Sequence, residues 1–337
     1  MSVTREMVIE HLNALAKPQG SMGRLEELAI MLAVAQQKLH PRTRPRRITL
    51  FAGDHGVVES GVSAWPSAVT TVMMETIIAQ RATSTALAAA QSADLQLVDV
   101  GSITPPKLDQ PRGNFRSARV AAGTADLALG PAMTVEQFQD AWAVGEAEAA
   151  RAHEEGFVLL LAGEMGIGNT TSAACLTVLL AGADADIATG RGAGADDAIL
   201  HCKRDIVTQA AQRADLLRDK DPIAAIAAVA GFEIAAIAGY YAQGAKQGST
   251  LLLDGYVTTA AALIAERLAP GTTKRMIAAH LSAEPGHRVA LDHLALEPLL
   301  DWGMRLGEGT GALTALPMLD SAAALLNDVA KLADILP

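Results

Sequence analysis

Residues 157–171 read FVLLLAGEMGIGNTT, and this stretch decides the fold. Six apolar residues, Phe157 to Ala162, run without alternation into Gly163 and Glu164. Two further glycines then lead to Asn169, Thr170 and Thr171 and an alanine-rich segment. An unbroken apolar run marks a strand buried on both faces, and glycines followed by short polar residues mark a turn into a helix. The same unit recurs in residues 48–56 (ITLFAGDHG), 95–101 (LQLVDVG), 249–256 (STLLLDGY) and 275–286 (RMIAAHLSAEPG), with helical stretches between. Strands alternating with helices predict an α/β protein, a doubly wound parallel sheet with helices on both faces. Ligands bind such sheets beyond the carboxyl ends of the strands. Those ends carry Asp54, His55, Asp99, Glu164, Asp254, Ser282 and Glu284.

Outside this core, residues 4–16 and 24–39 read as amphipathic helices broken by the KPQGSMGR turn at 17–24, and residues 313–337 return to an alanine- and leucine-rich helix. The expected organisation is therefore residues 1–40 and 313–337 as a small helical domain from both termini, around a catalytic domain at 41–312. Residues 102–131, rich in Pro, Gly and Arg, read as a long loop or partial lid. The basic run at 42–47 reads as a solvated lead-in to the first strand.

Half the residues are hydrophobic but only 3% are aromatic, so the core must be built from Ala, Leu, Val and Ile. A formal charge of −10 argues against a nucleic-acid partner, which needs clustered Lys and Arg. The two cysteines show neither metal nor disulfide spacing, which suits a reducing cytoplasm. Neither a signal peptide nor an uncharged apolar run of roughly twenty residues is visible, so no membrane association is expected.

Two turns have the chemistry of phosphate binding. In residues 163–171 the N–H groups of Gly166, Ile167, Gly168, Asn169 and Thr170, at a helix start, would hold one phosphate. The glycine spacing is not the dinucleotide fingerprint, and no Gly-Lys-Ser/Thr follows, so a P-loop is excluded. The second turn, TGRGAGADD at 189–197, offers Arg191, Gly192 and Gly194, with Lys203 downstream. The adjacent acidic pair that would hold magnesium and a pyrophosphorylated ribose is missing. A nucleotide with a built-in leaving group needs no such metal, and no cofactor is expected. Near the end of the chain, DWGMRLGEGTGA (301–312) sets Glu308 between Gly307 and Gly309. Glycines on both sides let a carboxylate be aimed inward as a general base. Equally, an acidic residue in a first helical turn satisfies free N–H groups with no chemistry at all.

Eight segments narrow the reading: KPQGSMGRLEELA, AGDHGVVESGVSAWPSAVT, GTADLALGPAMT, GEMGIGNTT, GFEIAAIAGYY, LDGYVTTAAALIA, SAEPGHR and PLLDWGMRLGEGTGA. In content and order they resemble the nicotinate-nucleotide:dimethylbenzimidazole phosphoribosyltransferase family, from Lys17 to about Ala323. The resemblance implies a homodimer that transfers phosphoribose from nicotinate mononucleotide to 5,6-dimethylbenzimidazole with inversion at C1′. The product would be α-ribazole 5′-phosphate, the lower-ligand nucleotide of cobalamin. It implies Glu308 as catalytic base, Glu164 and Lys203 as further catalytic groups, and a base pocket at Ser63, Val72, Met73 and Leu306. Two segments depart from the family pattern. A pocket glutamine is absent from residues 69–74, and residues 80–85 read QRATST. Both departures bear on base preference. A nicotinamide-dependent oxidoreductase of the same fold class would need the missing GxGxxG motif. A non-catalytic nucleotide-binding paralogue would keep the fold without turnover.

Overall fold

The computed structural model describes residues 2–110 and 112–335. Six parallel strands, β1 (Arg46–Gly53), β2 (Asp94–Gly101), β3 (Phe115–Ser117), β4 (Leu159–Met165), β5 (Thr250–Leu253) and β6 (Met276–Ala278), form one sheet in the order β3-β2-β1-β4-β5-β6. From β1 the chain winds outward through β2 to β3, then returns to β4 and winds the other way. The strand order therefore reverses between β1 and β4, where a doubly wound sheet opens a crevice at its carboxyl edge.

Two layers of helices cover the sheet because successive strand residues point to opposite faces. Ile48, Leu50 and Ala52 face the same side as Leu159, Leu161, Leu252 and Ile277. That side packs on α1 (Arg5–Ala14), α2 (Arg24–Gln36), α3 (Ala68–Ile78) and α4 (Thr83–Ala90), and on a long helix near the C-terminus. The other face, through Phe51, Leu160, Ala162 and Leu251, meets α5 (Val135–Glu154), α6 (Asn169–Ala181), α7 (Ala185–Ala188), α8 (Asp197–Asp215), α9 (Pro222–Ala227), α10 (Phe232–Lys246), α11 (Tyr256–Leu268) and α12 (Gly286–His293). The long C-terminal helix is α13 (Thr310–Asp328), followed by the short α14 (Leu332–Ile335). Helices α5 and α10 cross closely because Gly145 and Gly239 carry no side chain. A Cβ on Gly145 would stand 1.8 Å from the Ala236 carbonyl oxygen. No helix among the described residues is long and apolar enough to cross a membrane.

Three expectations change. The terminal helices do not enclose a core of their own: the side chains of α1, α2 and α13 join the strands of one sheet face in a single apolar cluster. The segment expected as a loop or lid instead supplies β3, which pairs with β2 through Leu97 and Phe115. Its end is stapled down by Arg119, which donates to the Ser102 carbonyl at 2.6 Å. The basic run is solvated only at Arg42 and Arg44. Arg46 and Arg47 are buried, Arg46 against Asp320 of α13 at 2.9 Å and Arg47 against Asp94 and Glu155. A charge this deep stays only when paired.

Candidate active site

The cleft lies over the carboxyl ends of β4, β5 and β6, at the side of the strand-order reversal. Its walls are the β4–α6 turn, the loop between α7 and α8, the turns after β5 and β6, and the loop that enters α13.

Glu308 is shaped by its backbone. Gly307 (φ 88°), Glu308 (φ 55°) and Gly309 (φ 72°) are all left-handed, a conformation natural to glycine but strained for a glutamate. A Cβ at Gly309 would fall 2.2 Å from Ile48 Cδ1, so a larger residue would have to displace that side chain as well as adopt a strained left-handed backbone. The resulting kink sends the Glu308 carboxylate inward, where 4% of the residue is exposed and Ser84 Oγ donates to Oε2 at 2.9 Å. Burial pushes its carboxyl above the ordinary glutamate range, the Ser84 hydroxyl pulls the other way, and the charge of Asp254 adds to the rise.

Glu164, at the end of β4, presses one oxygen on Gly307, where a Cβ would stand 2.3 Å away. Its other oxygen accepts from the Asn169 amide. Burial pushes its carboxyl up to about 8, with Asp254, Glu233 and Glu308 adding like charge. Asp254, after β5, accepts the N–H of Ala312 at 2.9 Å, and His280 Nε2 stands 3.9 Å from it. Three carboxylates, from β4, β5 and the α13 loop, thus converge in one cleft.

On the other side the β4–α6 turn opens α6 with Gly168 left-handed (φ 96°). Ile167 N–H is taken by Thr70 Oγ1 at 3.2 Å, and Asn169 N–H by the Gly166 carbonyl. Among the described residues, the N–H groups of Gly168 and Thr170 make no hydrogen bond within the chain. They stand at the positive end of α6, ready for an anion. Lys203 of α8 reaches the same corner, donating to Thr170 Oγ1 at 2.7 Å and to the Gly190 carbonyl at 3.1 Å. Burial pulls its ammonium down to about 8, with Glu284 acting in the opposite sense.

The second glycine turn behaves differently from expectation. Gly192 N–H donates to Glu284 Oε1 at 2.8 Å, and Gly194 N–H to the Arg191 carbonyl. Gly194 is not part of the cleft lining, and the Arg191 guanidinium is occupied by Asp197 and the Ala195 carbonyl. The Gly192 and Gly194 N–H groups are thus satisfied from within, unlike those of Gly168 and Thr170. Of the four residues expected in a base pocket, Ser63 and Leu306 line the cleft, whereas Val72 and Met73 do not. Helix α3 turns Thr70, Met74, Ile77 and Ile78 to the core, leaving Val72 57% exposed on its far side.

Sequence reasoning gave no role to Glu284, His280, Arg305 or Ser84. Glu284 and Asp254 stood out as acids at strand ends, while Ser84 stood out only as part of residues 80–85, a departure from the family pattern read as bearing on base preference. The turn bearing Glu284 is held by His287, whose Nδ1 accepts the Ser282 N–H at 2.8 Å. Its Nε2 therefore carries the proton and donates to Thr259 Oγ1 at 2.9 Å. Burial holds this imidazole down to about 3, fixing it neutral. Among the described residues no three His, Cys, Asp or Glu side chains are disposed to hold a metal ion.

A family model described as phosphoribosyltransferase matches residues 2–335. A nicotinate-nucleotide–dimethylbenzimidazole phosphoribosyltransferase of Pseudomonas putida is 46% identical over 95% of this chain and 90% of its own. The protein of that name from Thermus thermophilus is 42% identical over 94% and 93%. The crystal structure of CobT from Thermus thermophilus superposes with a TM-score of 0.93 at 41% identity, covering 98% of this chain and 97% of that one. A match this long and this close, with a sheet and cleft of the kind described, means that the chain belongs to this phosphoribosyltransferase family.

Proposed function

We propose that the cleft transfers the phosphoribosyl group of nicotinate mononucleotide to 5,6-dimethylbenzimidazole, giving α-ribazole 5′-phosphate and nicotinate. The observation that carries this reading is the left-handed Glu308 carboxylate facing, across one cleft, an anion-binding helix start with its buried lysine. The names of the relatives supply the two substrates.

The phosphate binds the Gly168 and Thr170 N–H groups, with Lys203 adding charge. The pyridinium nitrogen of nicotinate mononucleotide is quaternary and positive, so nicotinate leaves with a neutral ring and needs no general acid. An azole nitrogen of the base attacks C1′ from the opposite face, inverting β to α. As that bond forms, the azole becomes cationic and its N–H acidic, and Glu308 accepts the proton. Base catalysis of this kind contributes about 10²–10⁴-fold, and alignment of two substrates about 7–11 kcal/mol. Glu164 stabilises the positive charge that develops at C1′. Ser63 and Leu306 border the base. We further propose a cytoplasmic homodimer, in which a second copy covers exposed apolar side chains at the cleft edge such as Trp65 and Leu306.

The test is to incubate the protein with nicotinate mononucleotide and dimethylbenzimidazole in the presence of a chelator. Chromatography should show nicotinate and α-ribazole 5′-phosphate in equal amounts. Nicotinate without the riboside would mean hydrolysis, and neither product would mean a binding protein without turnover.

A further inference from the structure

We infer that Ser84 is a positioning residue for Glu308, fixing which carboxylate oxygen takes the proton and keeping that carboxylate ionised inside the cleft. The inference rests on the proposed role of Glu308 as base. Ser84 is fully buried in the first turn of α4 and is not part of the cleft lining, so it does not reach a substrate. Its hydroxyl donates to Glu308 Oε2 at 2.9 Å. The donor belongs to a helix packed against α13, so it holds the carboxylate against a fixed wall. Oε2 is engaged by the hydroxyl, and Glu308 lines the cleft.

The arrangement answers a physical problem. Burial and the nearby Asp254 both disfavour the charge of Glu308, and a protonated carboxyl cannot act as a base. Across the cleft stand His280 after β6 and Arg305 on the same loop as Glu308, while α4 carries no titratable side chain. The Ser84 hydroxyl is a local contact that favours the anion. It comes from behind the carboxylate, since Ser84 itself does not line the cleft.

The test is steady-state kinetics of Ser84→Ala across pH. At neutral pH kcat should fall about tenfold, with the KM of either substrate changed less than about twofold. The acid limb of kcat should move up by about one pH unit, because loss of a hydrogen bond to the charged form raises the pKa of Glu308. A residue that served packing alone would lower the melting temperature and leave the limb in place. That result, or an unchanged kcat, would overturn the inference. Should Ser84→Ala not fold, Ser84→Cys keeps the shape with a weaker donor and should show the same limb shift in smaller measure; an unmoved limb would count equally against it. Glu308→Gln, run alongside, separates the two ideas. If it is inactive while Ser84→Ala behaves as wild type, only the role of Ser84 falls; if it stays active, the base assignment itself falls.

Discussion

At the scale of single residues, the cleft is defined by charges held where water would not leave them. Glu164 sits near 8, so at pH 7 most of it is protonated while the cleft is empty. Nicotinate mononucleotide brings a positive ring, which favours the ionised form and should expel that proton. Calorimetric titration at pH 7 in buffers of different ionisation enthalpy should show release of a good part of one proton on binding. Glu164→Gln should abolish the release, and a wild-type protein that binds with no proton exchange would place the cationic ring elsewhere. Linkage has the same sign. A carboxyl raised in the folded state supports stability below its unfolded pKa, about 4.3, and loses that support as pH rises through the folded value near 8. Glu164→Gln should therefore melt higher than wild type at pH 8, with a smaller difference at pH 5. Glu308 and Glu164 were visible in the sequence as acids among glycines. Ser84 was visible only within residues 80–85, read as bearing on base preference, because its contact with Glu308 joins positions 224 apart.

At the scale of elements, strands and turns were legible because each apolar run closes on glycine and acid, and that pattern survives any packing detail. The five expected runs correspond to β1, β2, β4, β5 and β6. The edge strand β3 was hidden because three residues carry no periodicity, and its pairing depends on the loop folding back on β2. The two glycine turns looked alike in sequence, and what separates them is Glu284, an acid from a different strand end that occupies the Gly192 N–H. Helix α3 shows the converse: its residues 72 and 73 were expected at the base, but helical phase leaves Val72 exposed and Met73 half-buried, with neither lining the cleft. The phosphate corner makes a prediction of its own. Lys203→Ala should raise KM for nicotinate mononucleotide at least about tenfold and that for dimethylbenzimidazole far less, since Lys203 meets the α6 start and not the Ser63 wall. Equal increases for both substrates would remove Lys203 from the phosphate subsite.

At the scale of the whole molecule, one sheet carries two apolar layers, and the termini belong to one of them. The tie between C-terminal helix and sheet includes a buried charge: Asp320 of α13 meets Arg46, whose side chain is fully enclosed, while Arg44 and Thr43 bond the same carboxylate. Asp320→Ala leaves the Arg46 charge buried without its partner and should cost about 2–4 kcal/mol, the lower end reflecting an aspartate that is itself partly exposed. Denaturant unfolding would measure this, and a loss under about 0.5 kcal/mol, the scale of an exposed pair, would show that water reaches Arg46. Composition could not reveal such a tie, because a basic run reads as solvated until its partners arrive from the far end of the chain.

The proposed role of Glu308 as proton acceptor in phosphoribosyl transfer is open to test by single-turnover kinetics of Glu308→Gln against wild type. With nicotinate mononucleotide and dimethylbenzimidazole saturating, the amide keeps the shape of the side chain but cannot take the azole proton. Formation of α-ribazole 5′-phosphate should slow by about 10²–10⁴-fold with both substrates still bound and the melting temperature near that of wild type. A Glu308→Gln protein that forms product at the wild-type rate would contradict the account.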